Sequence, residues 1–207
     1  LAGGGFALVA GDVMGHGISA AAMMAQMRTG LRAYALDGHG PAEIVERLNR
    51  LALTLAAHQM TTLAFAVLDL DRELAQVVSA GHLPPVLRAA DGSARVLELA
   101  SDAPLGVSTA TVYHVHEFAL PVGSTLVLVT DGAVEVRGES VEHGLERLRE
   151  LVAGHDDLDD MCDRVAHGDV RGRPPDDDLA VLAARVQPLG DQLSTRWPAD
   201  AESLAAM

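Results

Sequence analysis

Acidic residues stand at the ends of apolar runs in three stretches of this sequence. Asp12 follows Phe6 to Ala10, Asp131 follows Leu126 to Thr130, and Asp176, Asp177 and Asp178 immediately precede Leu179 to Ala183. Each acid is thus carried by backbone that a buried strand would fix. Convergent carboxylates repel one another and lose solvation unless a cation sits among them. Oxygen donors at fixed positions suit Mg²⁺ or Mn²⁺, with water filling the remaining octahedral places. Two such ions can share a hydroxide, lower its pKa and aim it in line at phosphorus. Taken singly, each Asp has an ordinary alternative as a cap or turn residue. The repetition beside strong apolar strands favours a cation cluster, with Asp12 and Asp131 converging and Asp177 completing it. Spacing alone names no substrate.

The stretch Gly11-Asp12-Val13-Met14-Gly15-His16-Gly17 has more glycine than a simple turn requires. Gly15 and Gly17 would let the chain turn tightly beside a charged site and enter a helix at residue 18. Backbone around Val13 could ligate through a carbonyl or a bound water. His16 has two open roles, one facing water or substrate and one as a turn or cap residue. His82, between Gly81 and Leu83-Pro84-Pro85, reads more simply as a loop-packing residue.

Strands and two helical pairs must position these acids. Residues 18–36 suit a helix with Ala20, Met23, Met24, Met27, Leu31 and Tyr34 on one stripe, the methionines filling core. Asp37-Gly38-His39-Gly40 ends it, and Pro41 opens a second helix carrying Ile44, Val45, Leu48, Leu51 and Leu55. Strands are expected at 61–69, 75–80, 86–88, 95–99 and 125–130, with partial alternation over 112–120 and a final strand at 179–186. Further helices fit 144–153 and 158–167, and residues 171–175 read as a loop. Strands in hairpins with segregated helices favour an α+β fold built on antiparallel sheets.

Composition narrows the function. The chain has 207 residues, 49% of them hydrophobic, and fits one globular domain over residues 1–187 with a tail or linker at 188–207. All 15 basic residues are Arg, so Schiff-base, Walker-loop and Lys-dependent kinase chemistry lack their central residue. A formal charge of −14 opposes nucleic-acid binding. No apolar stretch reaches the roughly 18 residues that span a bilayer, so no membrane contact is expected from this segment. The single Cys162 makes neither an internal disulfide nor a thiolate metal site, and a cytoplasmic setting is expected. Leu1-Ala2-Gly3-Gly4-Gly5 reads as a hairpin turn, which needs a strand before it, so the chain is expected to be a fragment cut inside a sheet.

Four motifs in order carry a resemblance: GDVMGHG at 11–17, SAGHLPPVL at 79–87, LVTDGAVEV at 128–136 and PDDDLAVLAARV at 175–186. Over residues 4–186 the chain resembles the SpoIIE-like branch of the metal-dependent (PPM) protein serine/threonine phosphatases. That branch includes bacterial regulators of anti-sigma-factor partner switching. The resemblance implies a four-layer α-β-β-α sandwich with the metal centre at one end of two packed antiparallel sheets. It implies Asp12 as the bridging ligand, the Val13 carbonyl beside it, Asp131 on a second ion, and Asp177 and Asp178 before the last strand, with Asp176 the alternative if the register slips by one. Gly15, His16, Gly17 and Gly132 would lie next to the substrate or behind the ligands.

The implied reaction is attack by metal-activated water on phosphoserine or phosphothreonine, without a phosphoenzyme. Mn²⁺ or Mg²⁺, two ions in the complete domain, would be the cofactor, and a phosphorylated anti-anti-sigma-like protein the substrate. Homodimerisation is compatible with this family. The family's further acidic motif, around Gly-Asp-Phe-Tyr-Asp, has no counterpart in these residues. The alternatives are therefore a non-catalytic regulatory module on the same shell, or a small-molecule phosphatase with the same chemistry.

Overall fold

The computed structural model describes residues 5–55, 59–100, 102–167, 170 and 178–188. In chain order the elements are β1 (Phe6–Val13), α1 (Ile18–Leu36), α2 (Pro41–Leu55), β2 (Thr61–Asp69), β3 (Leu74–Ala80), β4 (Val86–Arg88), β5 (Ala94–Val96), β6 (His116–Ala119) and β7 (Thr125–Val129). A 3-10 turn at Asp131–Ala133, then α3 (Val141–Gly154), α4 (Leu158–Ala166) and β8 (Val181–Arg185) complete them. Among the described residues one sheet runs β1-β2-β3-β6 and the other β5-β4-β7-β8, and every ladder between these strands is antiparallel.

Side-chain alternation separates the layers. In β2, Leu63 and Phe65 point into a core with α1 and α2, while Ala64, Ala66 and Leu68 point into a second core between the sheets. In β7, Leu126 and Leu128 face the same inter-sheet core, and Val127 and Val129 face a third core under α3 and α4. The architecture is the α-β-β-α sandwich. It also explains why these strands read as unbroken apolar runs: with both faces covered, neither parity of the strand is free to be polar.

Helix α1 starts after Gly17, whose φ of 82° is left-handed backbone, and stops where Gly38 again takes φ 82°. Its buried residues include Ala20, Met23 and Met27, with Met24, Leu31 and Tyr34 packed partly buried against the same core. Among the described residues no helix is long and apolar enough to cross a membrane.

Strands β5, β6 and β8 are shorter than the sequence suggests, β8 covering Val181–Arg185 instead of 179–186. Instead of 95–99, β5 covers Ala94–Val96, and Leu97 turns into the inter-sheet core while its N–H bonds the Pro85 carbonyl at 2.9 Å. Instead of 112–120, β6 covers His116–Ala119, because the preceding segment is held elsewhere. Tyr113 is buried in the α1/α2 core, and the His114 N–H donates to the Asp102 carboxylate at 2.8 Å. Residues 1–4 of the expected first turn, the loop at 171–175 and the tail beyond 188 lie outside the described residues.

A buried amide on α2 ties down the connection that passes beside the start of β2. Asn49 donates Nδ2–H to the Ser108 carbonyl at 2.7 Å and accepts at Oδ1 from the Gly106 N–H at 2.9 Å. Leu105 in turn exchanges backbone bonds with Thr61 at 3.1 and 2.9 Å, so the clamp reaches the strand beside the site. Asn49→Leu keeps the volume but leaves two backbone groups unpaired. It is expected to destabilise the domain by about 1–3 kcal/mol, read from the urea midpoint. An unshifted midpoint would show that the clamp contributes nothing.

Candidate metal centre

Asp12 and Asp131 line one cleft of about 440 Å³, together with Thr62, Gly81, His82, Leu83, Pro84, Glu135, Val141, Glu142 and Leu145. The two acids arrive from different sheets. Asp12 lies inside β1, one residue before its end and opposite Thr62 of β2, rather than just beyond the strand. Its neighbour Val13 buries its side chain in the α1/α2 core, so only its backbone is available to the cleft. Asp131 leaves β7 through Thr130 and opens the 3-10 turn, where its Oδ1 accepts from the Gly132 N–H at 2.8 Å. Gly132 is buried behind it.

Gly15 and Gly17 both have positive φ, 104° and 82°, in the turn between Asp12 and α1. His16 sits exposed between them, and this turn is not part of the cleft lining. Asp178 is exposed two residues before Ala180, which is fastened to the end of β7. The Ala180 N–H donates to Thr130 Oγ1 at 2.8 Å, and the Thr130 N–H donates to the Ala180 carbonyl at 3.0 Å. Thr130 thereby holds the segment after Asp178 beside Asp131. Asp176 and Asp177 lie outside the described residues. Among the described residues no three His, Cys, Asp or Glu side chains close on one point.

Three features of the cleft were not legible as site features in the sequence. Glu135 and Glu142 add carboxylates to its outer wall, Glu142 from the first turn of α3. Helix α3 can lie this close because Gly144 has no side chain: a Cβ there would meet the Val134 carbonyl oxygen at 2.2 Å. The third feature is His82, whose ring bridges the sheets. Its Nε2 meets the Val129 carbonyl at 3.1 Å and its Nδ1 meets Thr62 Oγ1 at 2.8 Å. A carbonyl only accepts, so Nε2 carries the proton. Burial pushes the imidazole below its ordinary pKa, against the opposing pull of the Val129 hydrogen bond and the Asp131 carboxylate. The ring is therefore neutral at pH 7, and Nδ1 accepts from the Thr62 hydroxyl.

A two-sheet antiparallel sandwich flanked by helix pairs is the architecture of PP2C-type phosphatase domains. The RsbU and RsbW domains of Rv1364c from Mycobacterium tuberculosis superpose with a TM-score of 0.78 at 31% identity, over 90% of this chain and 53% of that one. The PP2C phosphatase domain of SpoIIE from Bacillus subtilis shares the fold, with a TM-score of 0.74 at 19% identity, over 88% of this chain and 54% of that one. Residues 2–187 match the family model described as Stage II sporulation protein E (SpoIIE), and the chain belongs to that family. A curated relative, phosphoserine phosphatase RsbU of Bacillus subtilis (strain 168), is 29% identical over 146 residues. The match covers 70% of this chain and 43% of RsbU, so the chain spans less than half that relative's length.

Proposed function

We propose that this chain is the catalytic domain, over residues 1–187, of a metal-dependent phosphatase that hydrolyses phosphoserine or phosphothreonine on an anti-anti-sigma-like protein in the cytoplasm. The observation that carries this reading is the meeting of Asp12 and Asp131, from separate sheets, in one cleft of a SpoIIE-family chain. The similarity to a phosphoserine phosphatase supports the reaction class.

The cleft's own charge argues for a cation. It is lined by Asp12, Asp131, Glu135 and Glu142, with a neutral His82 and, among the described residues, no Arg. A phosphate dianion entering such a wall meets only repulsion unless a divalent ion accompanies it. The donors fit that ion: they are oxygens, they stand on strand and turn backbone, and the cleft is open to water. Mg²⁺ in particular keeps several waters and needs only one or two protein carboxylates beside the substrate phosphate. PP2C/PPM phosphatases as a class are metal-dependent.

In this reading Asp12 and the Val13 carbonyl would hold an ion from the first sheet, Asp131 would hold a second from the other sheet, and Asp177 and Asp178, which precede β8 in the sequence, would be further ligands. When bound, Mn²⁺ or Mg²⁺ supplies water activation at neutral pH and neutralises phosphoryl charge. The chain's part is to fix the carboxylates and admit water through the open cleft.

The test is phosphate release from a phosphoserine peptide by the full-length natural protein. Release is expected to require added Mn²⁺ or Mg²⁺, to stop with excess EDTA and to return on adding the metal back. Calorimetry should show Mn²⁺ uptake that Asp12→Asn weakens. Metal-independent release would remove the assignment.

A further inference from the structure

We propose that His82 is a positioning residue that sets the gap between the strand carrying Asp12 and the strand leading to Asp131. The proposal rests on the phosphatase reading for the identity of those two acids as cation ligands. It goes beyond that reading in assigning a residue whose two ring nitrogens are both engaged by the protein.

The two sheets meet through an apolar contact that includes Ala64, Ala66, Leu68, Leu126 and Leu128, and apolar contact is non-directional. A cation cluster needs that spacing fixed to within about 0.5 Å. The His82 imidazole supplies a directional link between the sheets. One nitrogen holds Thr62, the cross-strand partner of Asp12, and the other holds Val129, two residues before Asp131. The ring is planar and rigid, so the separation of its two partners follows from its own dimensions.

Its backbone is fastened independently. The Ser79 hydroxyl donates to the His82 carbonyl at 3.0 Å and accepts from the His82 N–H at 3.3 Å. Gly81 has a φ of 66°, and a Cβ there would lie 2.4 Å from the Pro104 ring. A loop-packing residue would need none of this: it would fill space, and any side chain of similar volume would replace it.

The decisive variants are His82→Phe, which keeps a ring without nitrogens, Thr62→Val, which removes only the donor hydroxyl, and Thr62→Ser, which keeps it. In the full-length protein, calorimetry is expected to show Mn²⁺ binding weakened about 10–100-fold in the first two. Thr62→Ser should restore it. Phosphate release by Thr62→Val should fall at limiting Mn²⁺ and recover at saturating Mn²⁺, with the peptide KM little changed. A general packing defect would not be rescued by metal in this way. The imidazole ¹⁵N spectrum should show a neutral ring protonated on Nε2, drifting to a tautomer mixture in Thr62→Val. Wild-type Mn²⁺ affinity in folded His82→Phe and Thr62→Val, or a ring protonated on Nδ1, overturns the proposal. If the wild type takes up no Mn²⁺, the phosphatase reading falls, and the ¹⁵N spectrum alone then decides the strut.

Discussion

Asp131→Asn is expected to lower phosphate release by roughly 100-fold or more while the protein stays folded. The structure separates the two jobs this side chain could have. As a turn residue, Asp131 accepts the Gly132 N–H at Oδ1, and its backbone carbonyl receives the N–H groups of Val134 at 2.9 Å and Glu135 at 2.8 Å. Asn keeps the carbonyl-type Oδ1 and the entire backbone, so the turn survives the change. What disappears is the negative charge that shares the cleft with Asp12, and with it one anionic oxygen for a divalent ion. The chemistry and the turn thus predict opposite results from one atom's replacement. Single-turnover hydrolysis at saturating Mn²⁺ distinguishes them, with circular dichroism confirming the fold. Near-wild-type release from a folded Asp131→Asn protein would sink the assignment of this residue as a ligand.

Phe65→Ala is expected to cost about 3–5 kcal/mol, more than truncating any of the smaller aliphatic side chains around it. Phe65 has no exposed surface and sits in the middle of β2, paired with Val9 on one side and Val78 on the other. Its ring fills the core beneath α1 and α2. Against a total stability of about 5–15 kcal/mol, the loss is a large fraction of what holds the domain together. A domain of this size should melt roughly 6–20 °C lower. The variant should still bind Mn²⁺ below its melting temperature, because Val9 and Asp12 stay in the same strand. A shift of only a degree or two would mean that the α1/α2 core collapses around the gap.

The fold was legible wherever one residue pattern had one outcome. Both long helices begin and end where Gly17, Gly38 and Pro41 put them. The apolar runs at β2 and β7 are strands because they are covered on both faces. The pattern failed at β5 and β6, where short-range apolar residues are claimed by tertiary partners: Leu97 by the inter-sheet core, and the segment around Tyr113 and His114 by the α1/α2 core and Asp102. At the site, Asp12 and Asp131 were legible because acids at strand ends are conspicuous. His82, Thr62 and Thr130 were not. Their roles consist of single hydrogen bonds to residues 47, 20 and 50 positions away. No local spacing encodes such a bond. The glycine and prolines around His82 in the SAGHLPPVL motif suggested only loop packing.

The order in which the chain visits the two sheets has a consequence for inheritance and for protein engineering. After β3 the chain crosses to the second sheet for β4 and β5, returns to the first for β6, and crosses again for β7 and β8. No single cut therefore yields one piece owning all of β1-β2-β3-β6 and another owning all of β5-β4-β7-β8. Asp12 and Asp131 belong to opposite sheets, so the cleft cannot be reassembled from halves that each fold as a complete layer. Recombination or gene fusion that keeps the cleft must carry the strands from β1 to β8 together.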